Sequence, residues 1–202
     1  VKLQETKKEK FRNKEKMIKS FLIPICFWIN GNKPQDKTFI IGLAGGQGTG
    51  KTTISSLIKL ILTTYFKLNV FKVSIDDFYK TRKERLKLSK SKHPLLLTRG
   101  VPGTHDVDMI NTLFYNVKKK KFNSMLIPKF DKSTDDRSPK SKWQKISEKP
   151  NIVIFEGWCV GASAQKKKDL LVPLNALEKE KDKNKIWRNK VNKELQNKYK
   201  KI

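Results

Sequence analysis

Thr38-Phe39-Ile40-Ile41-Gly42-Leu43-Ala44 runs directly into Gly45-Gly46-Gln47-Gly48-Thr49-Gly50-Lys51-Thr52, and the fold is decided where these two stretches meet. The first is a compact apolar run rich in β-branched residues, the pattern of a strand fully buried in a parallel sheet. The second satisfies G-x-x-x-x-G-K-S/T in full, between a strand and an amphipathic helix, which is the context such a loop needs. Its glycines let successive N–H groups turn toward one point, and the helix N-terminus beyond adds partial positive charge. The ligand expected is a purine nucleoside triphosphate with Mg²⁺. Lys51 would reach the β- and γ-phosphates, Thr52 would set its hydroxyl on Mg²⁺, and Thr53 would donate to the α-phosphate. The bland alternative is a glycine-rich turn with no ligand.

Outward from the loop, Lys51 to Phe66 carries Ile54, Leu57, Ile58, Ile61, Leu62 and Tyr65 at the spacing of a one-faced helix. A second strand, Val70 to Ile75, runs straight into Asp76-Asp77. Strand, helix, strand is a βαβ unit, so a parallel sheet covered by helices follows. Further along, Asp106 to Lys121 reads as a helix, Met125 to Ile127 as a short strand and Asn151 to Phe155 as another buried strand. Gly31 to Lys37 reads as a loop, Lys129 to Lys149 as a long irregular one, and the Lys-rich stretch from Asp169 as helical. Lys2 to Lys19 suits a solvated helix or a partly disordered arm, which puts the domain boundary near residue 20, with 21–202 as the main unit. The apolar stretch Phe21 to Ile29 is too short to cross a bilayer and lacks a small-residue cleavage site, so it reads as a core-docking segment. No membrane association is expected.

The net charge is +27, yet only six basic residues are Arg and the rest are Lys spread along the chain. Base and phosphate readout favours the bidentate Arg fork, so no specific nucleic-acid partner is expected, only loose attraction to polyanions. Cys26 and Cys159 stand far apart without metal-ligand spacing, which fits a reducing, cytoplasmic setting.

In a parallel sheet, ligands collect at the carboxyl ends of the strands. Asp76 and Asp77 end the second strand and Glu156 follows Ile152 to Phe155. A carboxylate after such a run can hold the water shell of Mg²⁺ or polarise the attacking group. One after the second strand can lie beside the γ-phosphate and take a proton from a substrate hydroxyl, unless it serves only as a helix cap. The turn Arg99-Gly100-Val101-Pro102-Gly103-Thr104-His105-Asp106 offers Arg99, His105 and Asp106 to a small, hydroxylated, anionic substrate, or a helix cap and a hydrogen-bonded histidine. Lys129-Phe130-Asp131-Lys132 with Asp136-Arg137 brings cations where an acidic substrate or the triphosphate meets them, or is a solvated charged loop. A guanine-binding N/T-K-x-D signature is not found, because Asn116-Val117-Lys118-Lys119 lacks the final Asp.

GGQGTGKTT, SIDDFYKT, HPLLLTRGVPGTHD, IPKFDKSTDDR and IVIFEGW, in this order and spacing, resemble the D-glycerate 3-kinases and their close P-loop kinase relatives. Uridine kinase, phosphoribulokinase and bacterial pantothenate kinase are similar at greater distance. The resemblance implies an α/β P-loop NTPase fold, a mainly parallel sheet with helices on both faces. It implies transfer of the γ-phosphoryl of ATP to a hydroxyl, with D-glycerate the first acceptor to test and a nucleoside, a pantothenate-like molecule or another sugar acid the alternatives. By motif it makes Asp76 the catalytic base and a metal-side group, Asp77 a supporting or metal-shell group, and Glu156 part of the Mg²⁺ network with Thr52. Tyr79, Arg99, His105 and Asp106 would line the acceptor site, with Lys129, Asp131 and Arg137 closing over it. Members continue beyond the region matching Trp187-Arg188 and Tyr199, so the resemblance also implies a chain without the family's last helices. A non-catalytic nucleotide- or nucleic-acid-binding protein is the reading of another class.

Overall fold

The computed structural model describes residues 13–202; most of the Lys2–Lys19 arm lies outside them. The chain coils as α1 (Lys14–Met17), a π-helical stretch at Ile18–Leu22 and α2 (Ile23–Asn32). Leu22, Cys26 and Ile29 recur on one helix face and are buried, while Phe21, Ile25 and Trp28 are exposed. Phe21 to Ile29 thus docks by one face, and the helix continues through Gly31, correcting the loop expected from that residue.

β1 (Phe39–Ala44) feeds the glycine loop, α3 (Lys51–Thr64) and β2 (Val70–Ser74). After a 3₁₀ turn at Ile75–Phe78 come α4 (Arg82–Ser91) and α5 (Val107–Lys118). Thr81 and Glu84 form a reciprocal capping box at the start of α4. Asp106 caps α5 rather than joining it. Met125–Ile127 forms the short strand expected of it, β3, while the stretch Lys129 to Lys149, expected to be irregular, carries β4 (Phe130–Asp131), β5 (Asp136–Arg137) and β6 (Gln144–Ile146); β3 pairs with β6 and β4 with β5, antiparallel. β7 (Ile152–Gly157), α6 (Ala176–Lys181) and α7 (Ile186–Gln196) follow.

The sheet order is β1-β7-β2, parallel throughout. β7 lies between its neighbours and is buried along its whole length. β1 is not: its residues are half-buried or exposed, because among the described strands only β7 pairs with it. That corrects the fully buried strand expected from its sequence.

Alternation along β7 distributes the two cores. Ile152 and Ile154 join Leu22, Cys26, Ile29, Leu57, Ile58, Leu62 and Val70 on the α2/α3 side. Val153 and Phe155 face Phe71, Val73, Ile75, Ile110, Leu113, Phe114 and Val117 on the α5 side. The sheet is therefore flanked by helices on both faces, and each buried side chain of this kind contributes about 1.5–3 kcal/mol. Among the described residues no helix is long and apolar enough to cross a membrane.

Candidate active site

The same alternation aims the polar residues that extend the strands. Glu156 shares the parity of Ile152 and Ile154, so it points to the α3 side, where Thr52 in the first turn of α3 donates to Glu156 Oε1 at 3.3 Å. In β2, Phe71 and Val73 face the other core, which turns Lys72 and Ser74 toward α3. Lys72 Nζ donates to Ser56 Oγ at 2.8 Å. Register sets Ser74 beside Glu156, and Ser74 Oγ accepts from Asp76 N at 3.3 Å, capping the turn that carries both aspartates.

In the glycine loop, Gly48 and Gly50 have φ of 74° and 80°, a region open to glycine without Cβ strain. Thr49 Oγ1 and Lys51 Nζ both donate to the Gly46 carbonyl, at 2.8 and 2.6 Å. The Lys51 ammonium is thus folded onto the loop it belongs to, within reach of any anion the loop binds.

A cavity of about 270 Å³ opens over this loop, lined by Gln47, Gly48, Lys51 and Thr52 from below, and by Ser74, Asp76, Tyr79 and Glu156 from the strand ends. Lys132, Gly157 and Trp158 complete it. A second cavity, of about 340 Å³, shares Thr52, Ser74, Asp76, Lys132 and Glu156 and adds Lys72, Asp77, Lys129, Phe130 and Gln144. The two chambers thus adjoin, with Asp76 in the walls of both.

The expected residues divide between those walls and the layer behind them. Asp76 Oδ2 accepts from Lys132 Nζ at 2.8 Å. Asp77 pairs with Lys129 at 3.1 Å and accepts from Phe130 N at 3.2 Å, tying the β4–β5 hairpin to the sheet. Tyr79 is buried, and burial first, then the Asp76 carboxylate, raises its phenol pKa and keeps it protonated. Thr53 lies in the first turn of α3 and outside both linings.

His105, expected to touch substrate, is instead 1% exposed behind Tyr79, stacked on it at 4.4 Å with Nδ1 2.6 Å from the Tyr199 hydroxyl. Burial, ahead of its charged neighbours, lowers the ring pKa to about 3. Asp106 caps α5 through Met109 N at 3.2 Å and pairs with Arg137 at 3.3 Å; Arg137 also donates to the Tyr79 carbonyl at 2.9 Å. Arg99 pairs with Asp135 and lies over the Phe130 ring at 5.6 Å. Asp131 accepts from Ser133 N at 2.9 Å at the hairpin tip. None of these five lines either cavity; they brace the residues that do.

Lys132, expected only as one cation of the Lys129–Lys132 cluster, lines both cavities, and Lys72, Ser74, Gln144 and Trp158 line them without having been singled out. Strand parity was a signal for Lys72 and Ser74. Trp158 is oriented by Nε1 donating to the Gly100 carbonyl at 2.8 Å, which no local pattern announces.

Among the described residues no group of three or more His, Cys, Asp and Glu side chains could hold a metal by itself. The Thr52 hydroxyl with the Glu156 and Asp76 carboxylates suits Mg²⁺, which takes one or two carboxylates and completes its shell with phosphate oxygens and waters.

Residues 40–194 match the phosphoribulokinase / uridine kinase family. The chain is 40% identical over 136 residues to the uncharacterized kinase mug58 of Schizosaccharomyces pombe, covering 64% of this chain and 49% of that protein. It is 31% identical over 160 residues to the chloroplastic D-glycerate 3-kinase of Arabidopsis thaliana, covering 70% of this chain and 35% of that one. The chain thus spans half or less of the length of these curated relatives. The solved D-glycerate 3-kinase of Cryptococcus neoformans superposes with a TM-score of 0.67 at 22% identity, over 92% of this chain and 68% of that one, a likeness of fold. Given the match over residues 40–194, the glycine loop and the parallel sheet that carries it, this chain belongs to the phosphoribulokinase / uridine kinase family.

Proposed function

We propose that the chain is an ATP-dependent small-molecule kinase that phosphorylates a hydroxyl of a small hydroxy acid, D-glycerate first. The observation that carries this reading is Asp76, set in the wall common to the phosphate-loop cavity and its neighbour. The glycine loop receives the phosphates through backbone N–H groups, and Lys51 moves from the Gly46 carbonyl to the terminal phosphates. Mg²⁺, held by Thr52, Glu156 and Asp76, would neutralise charge on the phosphate oxygens. The acceptor hydroxyl enters from the second chamber and gives its proton to Asp76 as its oxygen bonds to the γ-phosphorus. The bond from that phosphorus to the bridging oxygen breaks, and the electron pair leaves with ADP. Tyr79, protonated and beside Asp76, fixes the carboxylate. The acid preference is supported by the lysines around the second chamber and by the relation to a D-glycerate 3-kinase. Buried, free thiols at Cys26 and Cys159 support a reducing compartment such as the cytoplasm.

ADP formation measured with and without D-glycerate tests the reading, with other sugar acids, pantothenate and uridine as comparison acceptors. Acceptor-dependent ADP release is expected with the hydroxy acids. Asp76→Asn should lower turnover at least ~1,000-fold while sparing ATP binding, and near-normal activity in that variant would remove Asp76 as the base. Lys51→Ala should instead weaken ATP binding itself, by about tenfold or more.

A further inference from the structure

Lys132 stands at the tip of the β4–β5 hairpin, lines both chambers, and holds its ammonium 2.8 Å from Asp76 Oδ2. The hairpin backbone beneath it is fixed on both shoulders. Phe130 N donates to Asp77 on one side, and on the other the buried Arg85 guanidinium pairs with Asp135 at 3.0 Å. The Lys132 side chain itself is 63% exposed, so its ammonium can swing while the backbone stays. While that ammonium holds Oδ2, the acceptor's hydroxyl has only the other oxygen of the carboxylate to turn to.

We propose that Lys132 is the specificity-determining cation of the acceptor chamber: it exchanges Asp76 for the acceptor's carboxylate, so that recognising the acid and releasing the base are one event. The proposal rests on the kinase reading above. The exchange replaces one charge-assisted hydrogen bond by another of similar strength. A neutral polyol offers no such partner and meets a base that is still engaged. Neither neighbouring lysine fits the part. Lys129 is paired with Asp77 at 3.1 Å and lines only the second chamber. Lys72 sits half-buried on β2 and donates to Ser56 at 2.8 Å; burial, partly opposed by Glu156, lowers its pKa.

The test compares wild type with Lys132→Met and Lys132→Arg, using D-glycerate and glycerol as acceptors. Thermal melts and affinity for a non-hydrolysable ATP analogue are measured on each variant, and D-glycerate binding to the analogue-loaded protein is followed by calorimetry. In Lys132→Met, kcat/KM for D-glycerate should fall about 100-fold, mainly through KM, with a matching loss in the calorimetric affinity. The rate with glycerol should rise, because no ammonium then engages Asp76, so that the preference for the acid drops by more than that factor. Lys132→Arg should restore part of it. Equal losses with acid and triol, or an unchanged calorimetric affinity, would overturn the assignment while leaving the kinase reading in place. A wild-type chain that forms no ADP with any hydroxy acid would overturn both.

Discussion

His105 holds two jobs that pull its chemistry one way. Its ring backs Tyr79 by stacking, and its Nδ1 meets the Tyr199 hydroxyl, which also accepts from Gly103 N at 3.0 Å. Both contacts suit a neutral ring, and burial keeps it neutral, with a pKa of about 3 against an ordinary value of 6.5. The folded chain therefore resists a proton that the unfolded chain accepts below pH 6.5. The sign follows: this contribution to stability is complete above pH 6.5 and is lost as pH falls toward 3, by up to about 1.4 kcal/mol per unit. Thermal melts between pH 7 and 5, where carboxylates contribute little, should show a falling midpoint in wild type. A flatter profile is expected for His105→Gln, though from a lower starting value. Parallel profiles would mean that His105 takes up its proton in the folded state.

The β4–β5 hairpin is an element held almost entirely by side chains. Arg85 is fully buried on α4, donating Nε to the Lys80 carbonyl at 3.2 Å and Nη1 to the Leu97 carbonyl at 2.6 Å, while Nη2 pairs with Asp135. Burial alone would raise the Asp135 carboxyl pKa, but the guanidinium groups of Arg85 and Arg99 hold it below its ordinary value. Arg85→Met should cost about 3 kcal/mol by leaving the Lys80, Leu97 and Asp135 carbonyls without their donor and the Asp135 carboxylate with Arg99 alone. It should also raise KM for the acceptor more than for ATP, and equal changes in the two would disconnect the hairpin from the acceptor chamber. This element is also where sequence reading stops short. The apolar runs of β2 and β7 and the face of α3 carry a period that local chemistry imposes, so the sheet and the positions of Asp76 and Glu156 were legible. A two-residue strand carries no period, and α4, whose one buried residue is Arg85, displays no apolar face. The burial of His105 and the pairing of Lys132 with Asp76 are set by contacts across dozens of residues; the sequence brought Lys132 to the site only as one of a cluster of cations, and nothing near it records that partner.

At the scale of the molecule, the charge of +27 surrounds a site whose own walls are nearly balanced: Lys51, Lys72, Lys129 and Lys132 face Asp76, Asp77 and Glu156. The excess lies on lysines distributed over the rest of the chain, and distributed charge acts at long range without selecting a sequence. Salt should therefore separate two kinds of anion binding. Affinity for single-stranded DNA or RNA, measured by fluorescence anisotropy, should fall steeply between 50 and 200 mM salt, about 100-fold or more, and should not depend on base sequence. On the proposed reading, nucleotide with Mg²⁺ would be gripped by the loop's backbone N–H groups and Lys51, which ions screen far less, so its affinity should change by no more than a few-fold over the same range. Oligonucleotide binding that survived physiological salt, or that ranked sequences, would point to a dedicated nucleic-acid surface among those lysines. A nucleotide affinity that fell as steeply as the oligonucleotide's would place the triphosphate on the general cationic surface and not in the glycine loop.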